Sequence, residues 1–505
     1  MATVKLPAGA PAAQALSARA LQGILSHDQY DDWLPDCVYW LDYAQSPEAL
    51  LQRVSQAFAA GQIEAEDPVL LDLPRKQGKP LPAARLALAE RVCAHALLGA
   101  NANALERMII RDKVYGFRYR ETATPLFSPP GEGIADVFRA AVFATTISDC
   151  SNLQVWDVDA FSTRAEFTRL DQVFLAAGVP GVARALKVLL GGPATGLPSC
   201  DDAFAFAYNC YLQPVDQKLL SQGVNYFRYR DEYFLLRDAD RPKLAAAQAS
   251  IGVTSRLRTQ FGNCSAMREA DRWQSDENVF VHDDGLVVAE LIRCRDESGE
   301  PISDCWELEG FAHTDGGVNL SRHLETAGAR RLVDAIRFVP TWRALNLARR
   351  TGVQLLPPFA VAANEYRKLT TDVDKLDRGM RSALAVAMQQ GDSWQTMWCA
   401  TLMSDRSVLT PEDRQLLAAA ANATRLIPAA QWTALIALAR HGAGVDAAIW
   451  QKLGASQSSD THRRALLAAS YLARHGKPKH WSALRSRFAP RYPELVRLLD
   501  SWHGA

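Results

Sequence analysis

The sequence lacks a surplus of either charge: 56 Lys and Arg stand against 56 Asp and Glu. The chain-wide basic surface of a dedicated nucleic-acid binder is therefore missing, and any basic surface has to be local. It lacks an apolar run of the roughly 18 residues that a membrane helix needs, so no membrane partner is expected. The first residues, Met1 to Gln14, are rich in Ala and Pro, carry one lysine, Lys5, and lack the apolar core of a secretory signal. A cysteine framework is missing as well. The nine cysteines are scattered, odd in number and contain no CxxC pair. That argues against zinc and disulfides and for a reducing cytoplasm.

What is present reads as a folded protein. Hydrophobic residues make up 48% of the chain and charged residues 22%, which is not a disordered composition. A length of 505 residues exceeds one ordinary core and implies two or three domains. Apolar residues at helical spacing predict helices over Leu16–Leu25, Pro47–Ala60 and Pro82–Leu98. Gly, Pro and Thr punctuate Tyr115–Gly133, and a helix over Ile134–Thr145 follows. Leu153–Val158 reads as a buried strand and Arg164–Ala177 as a helix. Asp202–Gln213 reads as an apolar helix stopped by Pro214. The aromatic-rich stretch Asn225–Leu236, split by Asp231 and Glu232, reads as a hairpin with an acidic tip. A second hairpin is expected over Val279–Ile292, around Asp283-Asp284-Gly285.

Beyond residue 325 the pattern is helical to the end, with helices expected at 328–337, 340–350, 373–389, 392–403, 411–425, 429–440, 445–453, 460–474, 479–488 and 493–502. Leu438-Ala439-Arg440-His441-Gly442 recurs 34 residues later as Leu472-Ala473-Arg474-His475-Gly476, each copy closing a helix on glycine. A period near 34 is that of a helix pair in an α-solenoid. Trp394, Trp398, Trp432, Trp450, Trp481 and Trp502 are expected to fill the space between these helices. From His462 to Arg491 there is no acid, against Arg463, Arg464, Arg474, Lys477, Lys479, Arg485, Arg487 and Arg491. Two readings stand for that stretch: a contact with nucleic acid or a partner, or a solvated helix face.

Three segments carry the chemistry: Val155-Trp156-Asp157-Val158-Asp159-Ala160-Phe161, then Gly196-Leu197-Pro198 with the helix running into Tyr211-Leu212-Gln213-Pro214-Val215-Asp216, then Arg228-Tyr229-Arg230-Asp231-Glu232. Nucleotide addition needs an attacking hydroxyl and a departing pyrophosphate held in line, and two divalent ions can steady both oxygens. Mg²⁺ takes carboxylate oxygens and keeps its waters, so a few carboxylates on rigid elements suffice. A strand bearing Asp157 beside a hairpin tipped by Asp231 and Glu232 would supply them.

In this order the segments resemble the palm motifs of reverse transcriptases. Asp157-x-x-x-Phe161 is similar to the first motif, Gly196-Leu197-Pro198 and Tyr211-Leu212-x-Pro214-x-Asp216 to the second, and Arg228-Tyr229-x-Asp231-Glu232 to the third. Tyr115-Gly116-Phe117-Arg118-Tyr119-Arg120 is similar to the start of the fingers in the bacterial defence-associated branch, which holds abortive-infection and retron-like enzymes. The motifs cover about residues 110 to 240. The resemblance implies an α+β fold with reverse-transcriptase-like fingers and palm and a C-terminal α-helical repeat. The boundaries would be 1–105 for an N-terminal helical region, 106–300 for fingers and palm, and 301–505 for the repeat.

The same resemblance implies a DNA polymerase in antiviral defence, RNA-templated or else protein-primed and template-independent, using Mg²⁺ or Mn²⁺. Asp157, Asp231 and Glu232 would be catalytic, and with the Val158 carbonyl they would hold the metals. Tyr229 would lie by the primer end, Arg118 or Arg120 would hold the triphosphate, and Phe161, Ser162, Gly196 and Pro198 would complete the substrate site. Its partners would be deoxynucleotides, a non-coding RNA template or product DNA, a second protein subunit and further copies of the chain. Three departures bear on this. Glu232 stands where the family has a second Asp, and keeps the charge. Ser162 replaces a bulky aromatic that blocks a ribose 2′-hydroxyl, so sugar selection is expected to relax unless Phe161, Tyr208 or Phe206 fills the gap. Cys200 replaces a small Gly. The alternatives are a palm that has lost catalysis and serves as a scaffold subunit, and an unrelated helical-repeat interaction protein whose motif matches are accidental.

Overall fold

The computed structural model describes residues 2–6, 10–28, 38, 41, 45–73, 81–122, 125–127, 152–159, 165–191, 201–262, 281–283, 286–288, 292–295, 301–308, 311–314, 373–404 and 408–503. The expected helices at 134–145, 328–337 and 340–350 lie outside them.

The chain starts with strand β1 (Ala2–Lys5) and helices α1 (Ala10–Asp28) and α2 (Pro47–Ala60). Strands β2 (Gln62–Ala65), β3 (Val69–Leu73) and β4 (Leu81–Arg85) follow, then α3 (Leu88–Glu106). β1 pairs antiparallel with β2, and β3 with β4. The all-helical reading of this region thus needs correcting. Pro82–Arg85, expected as the start of a helix, belongs to strand β4, because pairing with β3 outweighs the helical preference of its two alanines. The helix begins only at Leu88.

The middle of the chain builds one mixed sheet. Its strands are β5 (Val114–Tyr115), β6 (Asn152–Asp159), β7 (Tyr226–Tyr229), β8 (Glu232–Leu235) and β9 (Thr254–Gly262). Between β6 and β7 run α4 (Phe167–Ala176), α5 (Val182–Leu189) and α6 (Asp202–Ser221), and α7 (Arg241–Ala249) joins β8 to β9. The strand order is β5-β7-β8-β6-β9. β5 lies parallel to β7, and every other pairing is antiparallel. Strand, helices, hairpin, helix, strand, with the first strand central, is the β-α-β-β-α-β connectivity of ferredoxin-like sheets.

Two findings refine the expected elements. The hairpin tip is Arg230-Asp231, and Glu232 already belongs to β8. Helix α6 runs through Pro214 to Ser221 instead of stopping. Proline there forfeits one backbone bond and crowds the preceding turn at a cost of about 3 kcal/mol. Burial of nearly the whole of 202–216 outweighs it. One hydrophobic core runs from α1 through α3 and α6 to the sheet, from Ala13 to Val253, and crosses residue 105 without a break. Further on, β10 (Val281–Asp283) pairs with β11 (Leu286–Val288) as the expected second hairpin, and β12 (Ile292–Arg295), β13 (Pro301–Leu308) and β14 (Phe311–Thr314) form a three-stranded sheet.

Among the described residues the C-terminal region shows four helix pairs: α8 (Val373–Gln390) with α9 (Ser393–Ser404), α10 (Pro411–Asn422) with α11 (Pro428–Arg440), α12 (Asp446–Ala455) with α13 (Ser459–Arg474), and α14 (Pro478–Phe488) with α15 (Pro493–Ser501). The second helices, α9, α11, α13 and α15, stack in that order. The recurring Leu-Ala-Arg-His-Gly is what joins pair to pair. His441 Nε2 bonds the Ser404 carbonyl at the end of α9 at 3.0 Å, and His475 Nε2 bonds the Arg440 carbonyl at the end of α11 at 2.8 Å. Each histidine thereby satisfies a carbonyl that the preceding helix end leaves open. Gly442 has φ +68°, and a Cβ there would come within 2.8 Å of the His475 ring. Trp394, Trp398, Trp432 and Trp481 are buried as expected, Trp450 is exposed and Trp502 half-buried.

This second core also takes in Val38, Leu41, Val69 and Leu71, so β3 rests on the stacked helices. Ion pairs cross the same junction: Arg85 with Asp460 at 2.9 Å and Arg463 with Glu66 at 3.6 Å. Among the described residues no helix is long and apolar enough to cross a membrane.

Candidate functional site

In an antiparallel pair, residues directly opposite one another put their side chains on the same face. Asp157 of β6 lies opposite Glu232 of β8 on one side and opposite Arg256 of β9 on the other. Glu232 in turn lies opposite Tyr229 of β7. A row Tyr229–Glu232–Asp157–Arg256 therefore crosses four strands on one face of the sheet. Asp157 and Glu232 are buried, and Asp231 sits beside them in the half-buried turn. The Val158 N–H donates to the Asp231 carbonyl at 3.0 Å, which pins the turn to β6. The Arg256 guanidinium, two-fifths exposed, bonds Asp157 Oδ2 at 3.3 Å. Two carboxylates side by side repel, and a cation between them relieves the repulsion; here Arg256 serves Asp157.

The opposite face holds the anchors. Tyr226, Arg228 and Tyr233 point toward α6, with Arg228 and Tyr233 opposite one another. Arg228 is fully buried. Its Nε donates to both oxygens of Asp216 at 3.0 and 3.1 Å, and its Nη2 to Asp216 Oδ2 and the Asn209 carbonyl. Its Nη1 donates to Asn209 Oδ1 at 2.9 Å and to the Arg230 carbonyl at 2.6 Å. Burial raises the Asp216 carboxyl above its ordinary range even with Arg228 alongside. The same burial makes each partner costly to leave alone. Asn209 and Asp216 are seven residues apart on α6, two helical turns, so they share the face that meets the hairpin.

Asn209 also reaches the other wall of the site. Its Nδ2 donates to the Gly116 carbonyl at 2.9 Å and lies 3.4 Å from that of Phe117. Gly116 has φ +73° and presses so close to the Tyr229 ring that a Cβ would collide with it. Phe117 packs against Tyr229 with the rings tilted and their centroids 5.6 Å apart, and the Arg230 guanidinium lies 5.2 Å over the Phe117 ring.

Of the residues expected in the site, Asp157, Val158, Tyr229, Asp231 and Glu232 are brought together. Phe161, Ser162, Gly196, Pro198 and Cys200 lie outside the described residues. Arg118 and Arg120 separate. Arg118 is buried, donates from Nε to Glu106 Oε1 at 2.7 Å and from Nη1 to the Val114 carbonyl at 2.8 Å, and also pairs through Nη2 with Glu106. It belongs to the wall, whereas the Arg120 side chain is exposed. Phe206 packs against Phe127 at 5.1 Å inside the core, which takes it away from any sugar-gating role.

Asn209 and Arg256 did not emerge from the sequence. The seven-residue spacing to Asp216 signals Asn209; nothing local signals Arg256, which a strand register carries to Asp157. Asp201 caps α6 by accepting from the Ala203 and Phe204 N–H groups. His95 and Arg91 hold its carboxyl well below the usual carboxylate range despite its burial.

The acid-free stretch changes meaning, because acids from elsewhere meet it. Arg463 pairs with Glu66, Arg464 with Asp460, Lys477 with Asp446 and Arg485 with Asp500. Arg474 donates to the Trp502 carbonyl and Arg491 to Ser459 Oγ. Burial, with Arg491 and Arg487 nearby, pushes His462 down to about 4, so its imidazole is neutral at pH 7. Much of this charge is spent inside the molecule.

No protein-family model matches the chain, and no curated protein is similar enough in sequence to count as a relative.

Proposed function

We propose that the chain is a nucleotidyltransferase of the reverse-transcriptase type, adding deoxynucleotides with divalent cations held by Asp157, Asp231, Glu232 and the Val158 carbonyl. One observation carries this: Asp157 lies directly opposite Glu232 in the register of β6 and β8, with the Asp231 turn bonded to Val158. Acids from two segments far apart in sequence thus meet on rigid strands, in a sheet whose connectivity suits a palm.

The donor set fits Mg²⁺ or Mn²⁺, since every donor is an oxygen. Among the described residues no group of three His, Cys, Asp or Glu is placed to hold a metal by itself. Asp157, Asp231 and Glu232 would therefore hold a cation only together with water and nucleotide phosphate oxygens. Bound there, the cation would supply the positive charge that steadies the attacking and leaving oxygens of nucleotide addition. The chain's own residues do the rest. Asp157 and Asp231 orient, Arg120 offers a guanidinium to phosphate, and Tyr229, wedged between Gly116 and Phe117, forms a wall beside the acids.

The reading extends to a role in anti-phage defence, in the cytoplasm, with an RNA template or a protein hydroxyl as primer, and with nucleic acid, a second subunit or further copies of the chain as partners. The deciding experiment incubates the purified protein with labelled deoxynucleotides and Mg²⁺ or Mn²⁺, and sequences any nucleic acid that co-purifies. Incorporation that depends on Asp157 and Asp231 is the expected result. The ion pair of Asp157 with Arg256 favours a second reading, a palm that serves as a scaffold; absence of incorporation under every metal and template would select it.

A further inference from the structure

The two described non-glycine residues with left-handed backbone are Phe117, φ +50°, and Arg230, φ +53°. Such conformations persist only where the surroundings over-determine them. They stand in two turns more than a hundred residues apart in sequence, the first on the wall of the site and the second carrying Asp231. Asn209 touches the bonding of both. Its Nδ2 donates to the carbonyl of Gly116 and approaches that of Phe117, and its Oδ1 accepts from Arg228 Nη1, the same nitrogen that donates to the Arg230 carbonyl. Asn209 and Arg228 are both fully buried, and Asp216 fixes the far side of the guanidinium through two oxygens.

We infer that Asn209 is a positioning residue for the acidic turn: it aims Arg228 at the Arg230 carbonyl and locks the Asp231 turn to the 116–117 wall. The inference rests on the reading of Asp157, Asp231 and Glu232 given above. The physical reason is that Arg228 acts from the helix face while the acids stand on the other face. The arginine therefore sets the backbone beneath the acids without competing for their oxygens. A guanidinium fork can donate to Asp216, Asn209 and Arg230 together because its donors are rigidly splayed. The Asn209 amide, with an acceptor on one side and a donor on the other, decides which way the fork faces.

Hydrogen exchange on the full chain tests this. The reporter is the Val158 amide, which donates to the Asp231 carbonyl across the gap between turn and strand. In Asn209→Ala this amide should exchange at least about tenfold faster, while amides of the helix Pro428–Arg440 keep their wild-type rates, because local opening can be read apart from global unfolding. Arg228→Lys keeps a cation beside Asp216 but has no fork, so it should accelerate the same amide. Residues acting as one unit are non-additive, so the double variant should lose little more than either single one. An unchanged Val158 rate in Asn209→Ala, or equal acceleration in sheet and helices, would overturn the inference.

A parallel Mn²⁺ titration with dTTP, followed by electron paramagnetic resonance, separates the two claims. Weaker Mn²⁺ uptake by Asn209→Ala than by wild type is expected, and equal uptake counts against positioning. If wild type takes up no Mn²⁺ beyond that held by the nucleotide, the proposed function fails, and the Val158 exchange still decides what Asn209 does.

Discussion

Among the described residues two arginines are withdrawn completely from solvent, one in the sheet region and one in the helix pairs. Arg464 finds Asp460 four residues earlier on its own helix, at 2.6 Å, and Asp460 has a second partner in Arg85. Arg228 finds Asp216 on another element, and through Asn209 it reaches a turn more than a hundred residues away. The helical pair is largely a local matter of (i, i+4) spacing. The sheet pair exists only once helix, hairpin and wall have come together. The helical region is therefore a stack of similar units joined by repeated local devices, as at His441 and His475. The sheet region is a single convergence in which each contact depends on the others.

This contrast predicts where damage spreads. The largest effect belongs to the acids: Asp157→Asn or Asp231→Asn should abolish nucleotide incorporation, by three orders of magnitude or more at several kcal/mol of lost stabilisation. Neither should change the unfolding midpoint of the helix pairs. Glu232→Gln should be milder; an equal loss would place it on a par with the two aspartates.

Next comes the arginine pair itself. Arg228→Ala leaves Asp216 buried without its partner and should cost about 3–5 kcal/mol in urea unfolding. Arg464→Ala leaves Asp460 with Arg85 and should cost roughly 1–3 kcal/mol. Equal costs would break the distinction between convergent and local pairing.

The junction between the regions should respond to pH. Burial, with Glu90 beside it, raises the Glu66 carboxyl to about 7, against the pull of Arg53 and Arg85. Arg53 bridges Glu66 and Glu90, and Arg463 approaches Glu66 from α13. Across the interval from about 4.5 to about 7 the folded chain holds a proton at Glu66 that the unfolded chain has lost. Its contribution to stability therefore falls as pH rises through that window and is constant on either side. Relative to wild type, Glu66→Gln should remove a slope worth on the order of 1–3 kcal/mol in total, read from midpoints at pH 4.5 and 8. A parallel pH profile for the two proteins would show that Glu66 titrates normally.

The smallest effects sharpen the picture of the repeat. Gly442→Ala meets both a left-handed backbone and the His475 ring, whereas Gly476→Ala meets open space at φ +78°. Roughly 1–2 kcal/mol is expected for Gly476→Ala from the backbone alone, and more for Gly442→Ala. The reverse order would mean that the His475 staple adds nothing.

How much of this could be read in advance follows the same division. All eight described C-terminal helices coincide with expected ones, because a 3.6-residue period and closing glycines are local signals. The hairpin around Asp231 and the strand bearing Asp157 were legible for the same reason: short apolar runs broken by acids. The N-terminal strands were not. Leu81–Arg85 carries no alternation that separates strand from helix, and only its partner β3 selects between them. Pro214 misled because packing can outweigh a broken backbone bond. The pairing of the acid-free stretch was not legible, because counting charge along a chain overlooks acids that the fold brings in, such as Glu66 and Asp500.

The sequence by itself determined which residue types were available and which short segments would be helix or hairpin, since those choices rest on neighbours a few positions apart. Only the tertiary structure decided that Asp157 faces Glu232 on one side and Arg256 on the other, that Arg118 belongs to Glu106, and that Asn209 binds two distant turns. Strand register and helix docking set those pairings, and both are fixed by burying whole faces at once, a sum over the fold that no single segment contains.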